Sequence, residues 1–250
     1  MKIGNIELKW LGHSGFLIKN STPQAYTKEV REPAKAGPDK SSSNISTKGK
    51  IIYIDPYNIP ENSEKADLIL ITHSHYDHCS FEDINKIIQE GTKIVMPADC
   101  QSKIARFETQ IKMEVIEQGQ ELDLGDLKIS AVPAYNIDKQ FHPKDNAWPG
   151  YLIKMEDVLI YHAGDTDLIP EMQKLTGHRQ EGKEFVALLP VGGRFTMSAE
   201  EAAEAANIIK PTLAIPMHYG SIVGTEKDAQ EFVELCGEKG INAKILEKGE

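Results

Sequence analysis

The stretch "ADLILITHSHYDHCSFEDINKIIQEG", residues 66–91, changes character twice. Ala66 to Thr72 is a nearly continuous apolar run, the pattern of a strand buried on both faces. Ser80 to Gly91 reads as a helix, with Ser80 as N-cap, Asp83 three residues on and Gly91 as a candidate stop. Between them, His73-x-His75-x-Asp77-His78 packs three of the chain's eight histidines and an aspartate into one short junction. A loop at the carboxyl end of a buried strand is where open α/β folds place their sites. Imidazole and carboxylate at this spacing suit zinc, iron or manganese. A purely structural core role is hard to sustain, because every buried imidazole needs its own hydrogen-bond partner.

Two further apolar runs end the same way. "YHAGDTD" offers Asp165 and "LAIPMHYG" offers His218. Around them the chain mixes short strand-like and helix-like segments. "MSAEEAAEAANIIKP" predicts a helix with a Ser198–Glu201 capping box, and "TEKDAQEFVELCGEKG" a second one capped by Thr225. "INAKILEK" predicts a last strand. An internal echo, Gly15–Lys19 against Gly150–Lys154, suggests two related halves, about 1–120 and 121–250, within one domain spanning 1–250. In the first half the echo is broken by a Ser-, Pro- and Lys-rich stretch, residues 20–50, expected to be an inserted surface loop.

Composition excludes several classes. The chain has 250 residues with 40% hydrophobic and 26% charged residues, the balance of a globular domain. A net charge of −10 repels phosphate backbones, so no nucleic acid partner is expected. The three cysteines form no CxxC pair. The start "MKIGNIELKW" lacks the apolar core of a signal peptide, and no stretch approaches the ~20 apolar residues of a membrane helix. The expected location is cytoplasmic.

The complete HxHxDH in residues 73–78, with "WLGHSGFLI", "IDPY", "YHAGDTD", "LLPVGG" and "AIPMHYG" in order, resembles the metallo-β-lactamase superfamily over nearly the whole chain. Within it, the chain resembles the subgroup of ascorbate-6-phosphate lactonases and N-acyl phosphatidylethanolamine phospholipase D. The resemblance implies an α/β, four-layer αββα sandwich, two facing mixed sheets with helices outside. It also implies two divalent metal ions at one edge, zinc foremost, with manganese or iron as alternatives. His73 and His75 would serve the first ion with a third histidine, Asp77, His78 and His218 the second, and Asp165 would bridge them. The usual strand tip for the third histidine, at the end of "LKISAVPAYN", carries Tyr135 and Asn136 instead. His142, six residues beyond, is expected to fill the place; otherwise Asn136 or water does, and one ion is weak or absent. His13 and His162 are left as groups supporting the ligands, and His178 as a solvated residue.

Two cations sharing a water lower its pKa toward about 7. The implied activity is hydrolysis of a small-molecule ester, lactone or phosphodiester by metal-bound hydroxide, with Asp77 and Asp165 as catalytic carboxylates. Cys79 is expected to pack beneath the loop. Substrate contacts are sought at Tyr135, Asn136, Arg194 and Tyr219, near Trp148, and phosphate or carboxylate holding at Lys139, Lys144 and Arg194. The alternatives are a nuclease, an iron-dependent redox enzyme on the same fold, or a non-catalytic metal-binding protein. A homo-oligomer is compatible with the resemblance.

Overall fold

The structure, a computed structural model, describes residues 1–20 and 49–249. Most of the expected insertion at 20–50 lies outside the described residues. The first sheet contains β1 (Lys2–Ile3), β2 (Ile6–Gly12), β3 (Gly15–Asn20), β4 (Ile51–Ile54), β5 (Leu68–Leu70), β6 (Lys93–Met96) and β7 (Lys112–Val115), in that spatial order. The second contains β8 (Glu121–Asp123), β9 (Lys128–Pro133), β10 (Pro149–Met155), β11 (Val158–His162), β12 (Glu184–Pro190) and β13 (Leu213–Met217), again in chain order across the sheet. Both sheets are mixed. Each begins with antiparallel pairs and turns parallel, at β4–β5 and at β11–β12. The chain passes from one sheet to the other between Val115 and Glu121.

Alternation along the first sheet builds two packed layers. Phe16, Ile18, Ile52, Ile54, Leu68, Leu70 and Val95 face the second sheet and join Tyr151, Ile153, Ile160 and Leu188 in one core. Their neighbours in sequence, Leu17, Ile51, Tyr53, Ile69, Ile71, Ile94 and Met96, point the other way. They pack on Ile84 and Ile87 of α1 (Phe81–Ile87) and Ile104 of α2 (Gln101–Ile104). On the far side, α3 (Ala199–Ile209) contributes Ala202 and Ala206, and α4 (Glu226–Glu238) Phe232, against the second sheet. The layers run helix, sheet, sheet, helix, as expected. No helix among the described residues is long and apolar enough to cross a membrane.

The capping box of α3 is present, with Ser198 N donating to Glu201 Oε2 at 2.8 Å. Helix α1 stops at Ile87, short of Gly91, because Ile88 is already extended; Gly91 makes the turn into β6. The strand expected over 241–248 does not form. Ala243 bridges Ala214 of β13 and Lys248 bridges Trp10 of β2, so this segment crosses from one sheet edge to the other and cannot pair continuously with either.

Candidate metal centre

At one edge of the sandwich the strand ends converge. β5 leads into His73, His75, Asp77 and His78; β11 into Asp165; β13 into His218; β4 into Asp55; and the β2–β3 turn carries His13. Past β9, the loop 136–142 doubles back. Asn136 N donates to His142 O at 2.8 Å, and Asn136 Nδ2 donates to Phe141 O and Phe195 O at 2.8 and 2.7 Å. His142 is thereby returned to the strand tip. Six of the eight histidines meet here.

Four residues of this edge hold left-handed backbone: His13, Asp55, His142 and His218, with φ of 52°, 42°, 55° and 59°. A non-glycine residue there costs on the order of 1–3 kcal/mol and persists where packing over-determines it, which is common at functional sites. Gly192, in "LLPVGG", explains part of that constraint. A Cβ at Gly192 would meet His218 O at 2.6 Å, so only glycine lets the two backbones approach.

The donor atoms form two groups around one carboxylate. In the first, His73 Nε2 lies 3.0 Å and His142 Nε2 3.2 Å from His75 Nδ1. In the second, Asp77 Oδ2 lies 2.9 Å from His13 Nε2 and 3.6 Å from His78 Nε2. Asp165 stands between them. Its Oδ2 is 3.2 Å from His142 Nε2 and 3.0 Å from His218 Nε2, and its Oδ1 is 3.4 Å from His78 Nε2. His78 Nε2, Asp165 Oδ1 and His218 Nε2 are buried without a hydrogen-bond partner. Buried polar atoms in that condition are rare. Lone pairs converging at this spacing fit cations, and the residues present therefore fit the metals the family pattern implies.

Hydrogen bonds behind the site fix the ring orientations. Asp55, fully buried, accepts from Thr72 N at 2.8 Å, Thr72 Oγ1 at 2.6 Å and His78 Nδ1 at 2.8 Å. Because Thr72 Oγ1 gives its proton to Asp55, it accepts from His73 Nδ1 at 3.0 Å. Both rings then present bare Nε2 atoms to the centre, the usual role of a carboxylate behind a ligating histidine. His142 Nδ1 donates to Phe195 O at 3.1 Å with the same effect.

Electrostatics follow from burial and charge. Burial pushes His73, His75 and His13 below the ordinary histidine range. Burial would also lower His78, but the carboxylates of Asp165 and Asp55 outweigh it and raise the imidazole well above that range. Burial would raise Asp165, yet His218 and His78 reverse the shift and hold it well below the usual carboxylate range. Burial likewise opposes ionisation of Asp77, but the hydrogen bond from His13 and the charge of His78 bring it to about 2.

The structure disperses the expected substrate residues. Tyr219 turns inward, stacking on Trp10 at 4.9 Å between ring centroids, and burial raises its hydroxyl to about 12. Tyr135 is buried, with its hydroxyl donating to Glu171 at 2.8 Å. Asn136 shapes the His142 loop. Arg194 lies over the Phe195 ring at 5.0 Å, exposed, outside the cleft above the centre. Lys139 pairs with Asp167, and Lys144 with Glu171 at 3.1 Å. Trp148 walls the site, its ring 4.8 Å from His73. His162 bonds Ser14 O at 2.9 Å and ties the two halves together behind the site. His13 lies against the second donor group, its Nε2 2.9 Å from Asp77 Oδ2 as the hydrogen-bond partner of that carboxylate. Asp55 and Thr72 were not singled out by their sequence; the aspartate of "IDPY", at the end of the strand next to the one that leads into HxHxDH, is the signal that could have found them.

A family model described as a β-lactamase superfamily domain matches residues 38–218. The UPF0173 metal-dependent hydrolase of Pyrococcus horikoshii is 32% identical over 246 residues, covering 98% of each chain. That of Thermococcus kodakarensis is 33% identical over 246 residues with the same coverage. Among solved structures, Igni18, a metallo hydrolase from Ignicoccus hospitalis, shares 26% identity with a TM-score of 0.69, covering 98% of this chain and 96% of its own.

Proposed function

The chain belongs to the UPF0173 metal-dependent hydrolases of the β-lactamase superfamily, and we propose that it cleaves a small-molecule ester, lactone or phosphodiester with two divalent ions. His73, His75 and His142 would hold one ion, Asp77, His78 and His218 the other, and Asp165 would bridge them. The single observation that carries the reading is the convergence of both donor groups on Asp165, with His78 Nε2, His218 Nε2 and Asp165 Oδ1 buried and unpartnered. Imidazole-rich donors favour zinc over the harder cations. Bound ions of this kind supply Lewis acidity and an ionisable water near neutral pH.

The chain's own groups do the rest. Asp55 and Thr72 keep His78 and His73 in the tautomer that exposes Nε2. Asp77, held ionised by His13, lines the cleft, where it would orient an attacking water. Asp165 keeps the two donor groups together. Cys79 is fully buried beneath the loop and takes no part in the chemistry. The motif order supports a place near the lactonase-like subgroup, and three free cysteines support a reducing, cytoplasmic setting.

Elemental mass spectrometry on protein purified without an affinity metal tests the reading. Two ions per chain, falling to one or none in Asp165→Ala, are expected. One ion or fewer in the unaltered protein after reconstitution with excess zinc and manganese would overturn the binuclear centre.

A further inference from the structure

The cleft above the donor groups has a volume of about 230 Å³. Beyond the metal-facing residues it is lined by Tyr76, Phe141, Phe195 and Ile222. Tyr76, Phe141 and Ile222 are 62%, 45% and 37% exposed and rank among the few large hydrophobic side chains left in solvent among the described residues. Leaving apolar side chains in water around a polar centre makes sense where a ligand covers them. The walls are built rather than incidental. The Phe141 and Phe195 rings pack edge to face at 4.6 Å, and Tyr57 supports Tyr76 at 5.9 Å.

Among the described residues, no lysine or arginine lines the cleft. The lysines nearest in sequence are engaged elsewhere, Lys139 by Asp167 and Lys144 by Glu171, whose carboxylates neutralise them. Arg194 sits on Phe195 outside the cleft. A second anionic group on a substrate, a remote phosphate or carboxylate, would enter an apolar space and lose its hydration without compensation. The volume also falls below the ~300–1,000 Å³ usual for whole drug-sized ligands, which suits a short chain or single ring.

Resting on the hydrolase reading above, we propose that the substrate is a neutral ester or lactone carrying a short apolar group beside the scissile bond, which Tyr76, Phe141, Phe195 and Ile222 cover, and no charged group remote from that bond. This narrows the bond classes and sets aside sugar-phosphate lactones.

The test is equilibrium binding of aceto-, butyro- and hexanohydroxamate, and of the monohydroxamate of adipic acid, to the metal-reconstituted protein. Affinity is expected to rise about threefold to fourfold per methylene, and the carboxylate-tipped chain to lose that gain. Phe141→Ala and Ile222→Ala are expected to flatten the series with metal content unchanged. A flat series in the parent protein, or tightest binding by the adipic compound, would overturn the proposal. If no hydroxamate binds, the metal reading fails instead. The cleft is then judged on metal-free protein with 1-butanol, 1-hexanol and 1-octanol by chemical-shift perturbation. Chain-length-dependent shifts at Phe141 and Ile222 support it, and no dependence overturns it.

Discussion

Replacing Asp55 with asparagine isolates the hydrogen bonding behind the centre from its volume. The wild-type Oδ2 accepts from Thr72 Oγ1 and His78 Nδ1, while Oδ1 accepts from Thr72 N. Asparagine keeps one acceptor, which Thr72 N retains, and turns an NH₂ toward the other two. His78 Nδ1 then meets a donor. The ring relieves the clash by changing tautomer, which protonates Nε2, the atom that faces Asp165 at 3.4 Å. Loss of such a partner costs about 10–100-fold in metal affinity, about 1.4–2.8 kcal/mol at ~1.4 kcal/mol per decade. One misfit buried donor costs the metal-free fold about 1–3 kcal/mol. The effect reaches His73 only through Thr72, so the first ion is expected to weaken less than the second. Competition against a chromogenic chelator reads both affinities, and urea unfolding in EDTA reads the fold. Two ions bound with unchanged affinity by folded Asp55→Asn would refute the tautomer argument.

Gly192→Ala places a Cβ 2.6 Å from His218 O, so His218 must move; loss of the second ion with only modest change in melting temperature is expected, measured by metal content and calorimetry. In metal-free protein, burial lowers His13, His73, His75 and His162. The unfolded chain takes up their protons below about pH 6.5 while the fold does not, so their contribution is lost as pH falls from about 6.5. His78 has the opposite sign: its contribution is fully present below about pH 6.5 and lost as pH rises through its raised folded value. Stability is therefore expected to fall between pH 6.5 and 5 by up to about 1.4 kcal/mol per pH unit for each of the four histidines; urea midpoints in EDTA that stay flat or rise on acidification would contradict this. Removing metal from the loaded protein is expected to lower stability by about 2.7 kcal/mol when the free ion stood at 100 times its dissociation constant, checked by melting with and without chelator.

The sandwich and the clustering of the candidate donors were legible for a local reason. An ionisable residue interrupting an apolar run is visible within a few positions, as at His73, Asp165 and His218, and period-two alternation marks the strands between. What was not legible depends on distant partners or on a single backbone angle. Lys139 and Lys144 looked available for an anion because their carboxylates, Asp167 and Glu171, stand 28 and 27 residues away. Tyr219 looked directed at the site because it follows His218, but the left-handed φ of His218 swings the next residue into the core beside Trp10. His13 was expected to support the ligands, but which one it meets was not legible, because its partner Asp77 lies 64 residues away. The left-handed angles at His13, His142 and His218 share a consequence. Each loop is held by bonds outside the donor set: His13 O accepts from Trp10 Nε1 and His218 N, and His142 O accepts from Asn136 N. The donors are therefore aimed by the protein rather than gathered by the ion. That is why mutations behind the site, at Asp55 or Gly192, should reach metal affinity before they reach the fold.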